Sequence, residues 1–435
     1  MRVIPSAMPR IDESTAPCCL TCAFHRLGQA PRADGRLSAR SCNSGSWPLA
    51  LGARRLALGR ASLLSPENLA HPQAFGVIKQ SSLSVLALLS VLASLQLLGC
   101  RGAETPVFTT QFIAFESAVD LSLVGMLKQD AVAAAAEVER DVRFISDSVH
   151  TWKPGPMVRI NELLATGEPF AAPPSLLPLI RQSQVLAQQS DNLFNPAIGH
   201  LQRLWGFQTA EPECRPPPAA KDIARLVAAA PEMADLYLDG IMLQSDNPAV
   251  NLDFDAIAVG FTMDLAVENL RSRDVRSALI NLGGNVRAIG DRDGRPWRVP
   301  IRRANGTRVL GTIKVSGDAS VFTSGDYHRN FIHEGKTYHN VLDPRTGYPV
   351  EDIHAVTVLY DGAGAIADAA ATALMVAGLD RWEEIAERMG IRYVLLIDNA
   401  GTIHMTPGMA ERVELLNDES DIALSAAPTE EASGR

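Results

Sequence analysis

Two apolar runs, Leu236-Tyr237-Leu238 and Ile241-Met242-Leu243, flank Asp239-Gly240. A two-residue turn of this kind commits the chain to an antiparallel hairpin, because Asp and Gly tolerate the positive φ that such turns require. Segments of helical period surround it. Val138, Val142, Ile145 and Val149 recur every three or four positions in a helix expected over 127–149. Lys153-Pro154-Gly155-Pro156 breaks the chain into a loop. Further helices are expected from Ser175, as N-cap, to Gln189, and over 221–230, 256–271, 365–377 and 381–389. Short strands are expected at 278–282, ended by Gly283-Gly284, and at 297–302, 312–315, 319–323, 353–360, 391–397 and 402–405. Hairpins interleaved with helices predict an α+β fold, a single large domain with a mixed, largely antiparallel sheet flanked by helices. Neither G-x-G-x-x-G after a strand nor G-x-x-x-x-G-K-[ST] occurs, so the familiar nucleotide cradles are excluded.

The folded domain is expected over 107–410, with a polar, Ala-rich disordered tail over 411–435. The first hundred residues differ from the rest. They hold 10 of the 40 basic residues and 4 of the 49 acidic ones, leaving 30 and 45 for the remainder. An acidic body and an overall charge of −9 give no reason to expect nucleic acid as a partner. Cys18, Cys19, Cys22, Cys42 and Cys100 also lie there, and only Cys214 lies beyond, so the body has no internal disulfide framework. No Cys or His pair follows Cys18-Cys19-x-x-Cys22 at zinc spacing. Residues 1–76 are read as an unstructured leader or a misplaced start, with translation expected to begin near Val77. Residues 77–100 carry Lys79, the apolar run Leu83 to Leu98, and then Leu97-Leu98-Gly99-Cys100. The run is too short to span a bilayer and ends in small residues, which reads as a secretory signal. Cys after Leu-Leu-Gly resembles the bacterial lipoprotein box. It implies acylation of Cys100 and a membrane-anchored lipoprotein on the periplasmic or extracytoplasmic face, with inner or outer membrane left open.

Two motifs carry chemistry. Thr323-Ser324-Gly325-Asp326-Tyr327 and the run His339 to Pro349 pack hydroxyls, an imidazole, carboxylates and a guanidinium between turn residues. Held on loops, these read either as a site or as turns alone. Asp368 and Thr372 stand four apart in an Ala-rich stretch, so a helix places both oxygens on one face, where Mg²⁺ prefers hard ligands. Chance gives the same pair in many Ala-rich helices.

The order of the motifs resembles the FAD:protein FMN transferase family, formerly described as thiamine-biosynthesis lipoproteins. The matching segments run over about 300 residues in the family's order. They are Arg159-Ile160-Asn161, Phe194-Asn195-Pro196 with Leu204 to Phe207, Leu252 to Gly260, Ile280 to Asn285, Thr323 to Tyr327, His339 to Pro349, and Asp368 to Thr372. The resemblance implies Mg²⁺-dependent transfer of the FMN moiety of FAD, as substrate, to a threonine hydroxyl of a target protein, with release of AMP. The acceptor implied is a flavin subunit of a membrane redox complex. Asp368, Thr372 and the Ala256 carbonyl would bind Mg²⁺, and His339 would take the threonine proton. Asn161, Asp253, Asn281, Gly283, Gly284, Ser324, Gly325, Asp326, Tyr327 and Arg345 would bind FAD, the glycines by letting backbone approach closely. Trp205 and Tyr327 would pack on ligand rings or in the core.

Three departures from the family's pattern stand out. Val259 occupies the place of a usual lysine, with Asp255 nearby where a small residue is usual. Asn285 replaces a frequent Glu, and Phe115-Glu116-Ser117-Ala118 stands where Met-Gly-Thr is expected. Loss of a cation should weaken binding of a pyrophosphate, and Arg345 or Arg287 is the candidate replacement. Rival readings are a hydrolase that splits FAD into FMN and AMP, and a non-catalytic flavin-binding lipoprotein.

Overall fold

The computed structural model describes residues 105–209, 211–303, 308–416 and 422–424. The leader, the apolar run and Cys100 lie outside the described residues. Val107–Ala114 (β1) and Ser117–Val124 (β2) form a hairpin. Its turn is made by Phe115 and Glu116, both at positive φ, so no glycine betrayed it in the sequence. Lys128–Val149 (α1) buries Ala131, Ala134, Ala135, Val138, Val142 and Ile145 on one face, as its periodicity requires. Pro156 opens Pro156–Leu164 (α2) instead of only ending a loop, since a proline at the first helical position forfeits no bond. Phe170–Ala171 (β3) precedes Leu177–Gln189 (α3), which starts two residues after Ser175 with no side-chain cap. Gly199–Trp205 (α4) and Ala220–Ala228 (α5) follow.

The Asp239-Gly240 hairpin is Leu236–Asp239 (β4) and Met242–Ser245 (β5). Asp239 pairs with Met242, so the two-residue turn is Gly240-Ile241, one position later than expected. Gly240 at φ 58 takes the first turn position. Ala258–Ser272 (α6), Ala278–Leu282 (β6), Asn285–Ile289 (β7), Trp297–Arg302 (β8), Val309–Val315 (β9) and Ala319–Gly325 (β10) come next. Asn330–His333 (β11) and Lys336–His339 (β12) form a small hairpin before Ile353–Tyr360 (β13). Gly364–Arg388 (α7) breaks at Gly378, φ 69, into the two helices expected on either side of it. Tyr393–Asp398 (β14), Ile403–Met405 (β15), Pro407–Arg412 (α8), Val413–Leu415 (β16) and Ile422–Leu424 (β17) complete the described chain. The stretch expected to be a disordered tail from 411 thus begins with the end of a helix and two strands. β16 pairs with β9, and β17 with β15.

The main sheet has the order β1-β2-β6-β7-β10-β13-β14-β15-β17. Every neighbouring pair is antiparallel except β15 with β17, so the expected mixed, largely antiparallel sheet is present. Both of its faces are apolar. Along β14, Val394 and Leu396 pack under α1, α3, α6 and α7, while Leu395 and Ile397 pack against the three-stranded sheet β16-β9-β8. A smaller cluster around Trp205, Phe207, Phe331 and Leu342 sits beside them. The functional cleft opens among the β1–β2 turn, the N-terminal end of α6, the C-terminal end of β10 and the first half of α7.

Candidate active site

Seven stretches of chain far apart in sequence close on one cleft of about 430 Å³. One wall is the turn between β6 and β7. Gly283 and Gly284 have φ of 60 and 105, in the left-handed region where a side chain strains. Asn281 holds this turn: its side-chain oxygen accepts from the Gly284 amide at 3.1 Å, and its Nδ2 donates to Asp120 at 3.2 Å. Asn285 lines the cleft and accepts from the Thr323 amide at 3.0 Å, joining β7 to β10.

The oxygen corner lies where α6 meets α7. Gly260 and Gly364 touch backbone to backbone; a Cβ on Gly260 would lie 2.3 Å from the Gly364 carbonyl oxygen. That approach brings Asp368 against the start of α6, where its carboxylate accepts from the Gly260 amide at 2.9 Å. In a helix begun one turn earlier this amide would serve the Ala256 carbonyl. Ala256, Asp368, Thr372 and Ser324 all line the cleft, and the Thr372 and Ser324 hydroxyls lie 3.0 Å apart. Burial pushes the Asp368 carboxyl up to about 7, with Asp255 and Asp264 adding repulsion against the Gly260 amide's opposing effect. A buried carboxylate, a hydroxyl and a carbonyl are all hard oxygen donors, a set that fits Mg²⁺. Among the described residues no group of three or more His, Cys, Asp or Glu side chains is placed to hold a metal.

Asp253 also lines the cleft. Gln208 donates to one of its oxygens at 3.2 Å, Thr151 to the same oxygen at 3.4 Å, and the Asp255 amide to the other at 3.2 Å. Burial, and then the Asp255 charge, push its carboxyl up to about 7. Asp255 makes an ion pair with Arg329, whose guanidinium lies over the Trp152 ring, 5.5 Å from its centroid. Glu116, in the segment that departs from the family's Met-Gly-Thr, lines the cleft, as do Arg329 and His328, which carried no sequence signal because single charged residues in turns are ordinary surface features.

The other expected residues divide. Ser324, Gly325 and Tyr327 line the cleft; Tyr327 folds back over Gly325, where a Cβ would meet the ring at 2.5 Å. Asn161 does not: it spans the Leu252 backbone, donating to the carbonyl at 2.9 Å and accepting from the amide at 2.6 Å. Asp326 is paired with His354 at 2.5 Å. Arg345 is tied to Asp343 at 2.9 Å and to the Val376 carbonyl at 3.1 Å. Arg287 is buried against Asp264 and Asp318. Neither arginine reaches the cleft wall. Val259 lines the cleft, and the Lys or Arg found among the described lining residues is Arg329 instead. His339 is buried behind the wall, its Nε2 2.7 Å from the Val350 carbonyl and its Nδ1 accepting from the Val341 amide at 3.3 Å. Burial lowers its pKa and keeps the ring neutral. Trp205 takes the core alternative, donating to the Gly347 carbonyl at 2.8 Å and stacking on Phe207 and Tyr338.

An antiparallel sheet flanked by helices, with a polar cleft lined by a glycine turn and the carboxylates Asp253 and Asp368, defines the chain as an α+β protein. The ApbE family model matches residues 115–395. The chain belongs to the ApbE family. It is similar to an FAD:protein FMN transferase of Rhodobacter capsulatus, 38% identical over 315 residues, covering 72% of this chain and 59% of that protein. An FAD:protein FMN transferase of Vibrio cholerae is 30% identical over 273 residues, covering 62% of this chain and 80% of the relative. Among solved structures, the ApbE protein of Thermotoga maritima superposes with a TM-score of 0.65 at 26% identity, over 71% of this chain and 99% of its own. The flavin transferase ApbE of Vibrio cholerae gives 0.61 at 26% identity, with coverage of 71% and 99%.

Proposed function

We propose that the chain transfers the FMN moiety of FAD to a threonine hydroxyl of a target protein and releases AMP. The observation that carries this reading is the oxygen corner of Asp368, Thr372 and Ala256 in one cleft with Gly283, in a chain whose relatives are named FAD:protein FMN transferases. The threonine oxygen forms a bond to the FMN phosphorus, and the bond from that phosphorus to the bridging oxygen breaks, leaving with AMP. Mg²⁺ held by Asp368, Thr372 and the Ala256 carbonyl would neutralise charge on the pyrophosphate.

The chain's own residues do the rest. Gly283 and Gly284 leave room for a nucleotide against bare backbone. Ser324 orients the Thr372 hydroxyl, and Asn285 fixes the neighbouring strand end. Neutral His339 is suited to take the threonine proton, provided the long 3.3 Å bond from the Val341 amide to Nδ1 gives way when substrates bind. The acceptor proposed is a flavin subunit of a membrane redox complex.

Anchoring through an acylated Cys100 at the extracytoplasmic face completes the proposal, motivated by Leu97-Leu98-Gly99-Cys100. Mass spectrometry of the native N-terminus checks it; peptides from residues 1–76 in the mature protein would rule it out. The activity is tested by incubating the protein with FAD, Mg²⁺ and a candidate acceptor. AMP with covalent flavin on the acceptor is the expected result. AMP with free FMN identifies a hydrolase, and binding without AMP identifies a carrier.

A further inference from the structure

We propose that Arg329 is the phosphate clamp of the cleft and that Asp255 holds it parked until an anionic ligand displaces the carboxylate. The inference rests on the reading that a nucleotide pyrophosphate enters this cleft. Among the described residues that line the cleft, Arg329 is the only Lys or Arg. Its backbone is pinned: the Arg329 carbonyl accepts from the Asn340 amide at 3.0 Å, and the neighbouring Asn330 side chain donates to the Asp326 carbonyl at 2.8 Å. The guanidinium can therefore exchange partners over a fixed base, with Trp152 as the plate it slides on. Its side chain is 22% exposed and that of Asp255 37%, so the pair sits at the mouth, within reach of an entering ligand.

The charges around Arg329 are unbalanced. Asp255, Asp253 and Glu116 all act on this one guanidinium. Asp255 also repels Asp253 and Asp368. A carboxylate that repels two neighbours and is satisfied by a single cation is a partner that a bidentate phosphate can replace, since guanidinium matches phosphate geometry equally well. A guanidinium is charged at every working pH, so the exchange needs no proton. Val259, which also lines the cleft, adds no charge, which leaves phosphate recognition by a cationic side chain to Arg329 alone among the described lining residues.

The test is equilibrium binding of FAD, riboflavin and inorganic pyrophosphate, each with Mg²⁺, to the full chain and four variants. Arg329→Gln should weaken FAD and pyrophosphate roughly ten- to a hundredfold, the worth of a charge-assisted contact, and leave riboflavin within about twofold. Arg329→Lys should recover part of the loss. Asp255→Asn should tighten both anions by freeing the clamp. The double variant Asp255→Asn/Arg329→Gln removes both halves of the ion pair, guards against an unpaired charge unfolding the single variant, and should bind anions as weakly as Arg329→Gln. Equal losses for riboflavin and FAD, or unchanged FAD and pyrophosphate binding in Arg329→Gln, would overturn the proposal. A wild type that binds pyrophosphate through Arg329 but no flavin supports the clamp and removes the flavin reading instead.

Discussion

Asp253 and Asp368 show how a single carboxylate ties the cleft to the stability of the chain. Burial raises Asp253 to about 7, so the folded state keeps a proton that the unfolded chain has already released. The stabilisation is complete below the ordinary carboxylate range and is lost as pH climbs through about 7. Ligand-free protein should therefore melt lower at about pH 8 than at about pH 5, and Asp253→Asn should weaken that dependence without abolishing it, since Asp368, also raised to about 7, keeps its own share. A melting temperature that rises over this window would contradict the assignment. Asp368→Asn keeps an oxygen for the Gly260 amide but gives up the charge a cation needs. Mg²⁺-dependent AMP release should fall at least roughly a hundredfold with the melting temperature little changed, and full activity in that variant would move the metal elsewhere. Sequence motifs located Asp368, Thr372, Ser324 and Gly283, whose groups the fold leaves facing the cleft. They could not separate these from Asn161, Asn281 and Arg345, whose polar atoms are spent on backbone and carboxylate partners inside the fold. A motif records residue types; which way a polar group faces is decided by partners far away in the chain.

The helix pair α6 and α7 is the element that sets the oxygen corner. Asp264, in α6, accepts from the Gly364 and Ala365 amides at 2.7 and 2.9 Å, capping the start of α7 from outside. Gly260 and Gly364 allow the close crossing, and Asp368 then returns the favour to the Gly260 amide. Gly260→Ala drives a methyl into the Gly364 carbonyl, and overpacking of this kind costs about 1–3 kcal/mol. The expected outcome is a melting temperature lowered by several degrees, with metal affinity falling more than flavin-ring affinity, read by calorimetry and titration. An unchanged midpoint would show that the helices separate freely. Elements bounded by strong punctuation, such as β6 before Gly283-Gly284, match the sequence expectation residue for residue. The β1–β2 hairpin, the β11–β12 hairpin and β16 were not legible. The first turns on Phe115 and Glu116, residues that ordinarily avoid positive φ. The β11–β12 hairpin closes locally on Glu334-Gly335, between four-residue strands too short to show a period, and β16 acquires its pairing from the distant β9.

For the whole molecule, the balance of charge opposes its proposed substrate. Beyond the first hundred residues the chain carries 45 acidic and 30 basic side chains, and FAD is itself an anion. Long-range repulsion slows encounter and is screened by salt, so the association rate of FAD should rise as ionic strength increases from roughly 0.01 to 0.15 M. Stopped-flow fluorescence reads it directly; a rate that falls with salt would mean that the field of Arg329 governs approach. The cleft walls run from Phe115 to Thr372, and the β2–β6 pairing that supports the glycine turn joins Asp120 to Asn281, 161 residues apart. Contacts of such separation close only after a large loop has been ordered, which makes folding slow and leaves no shorter fragment with a complete cleft. The time course of refolding should then show backbone structure first and ligand capture last, so that a molecule holding its ligand is one in which the two ends of the sheet have already found each other.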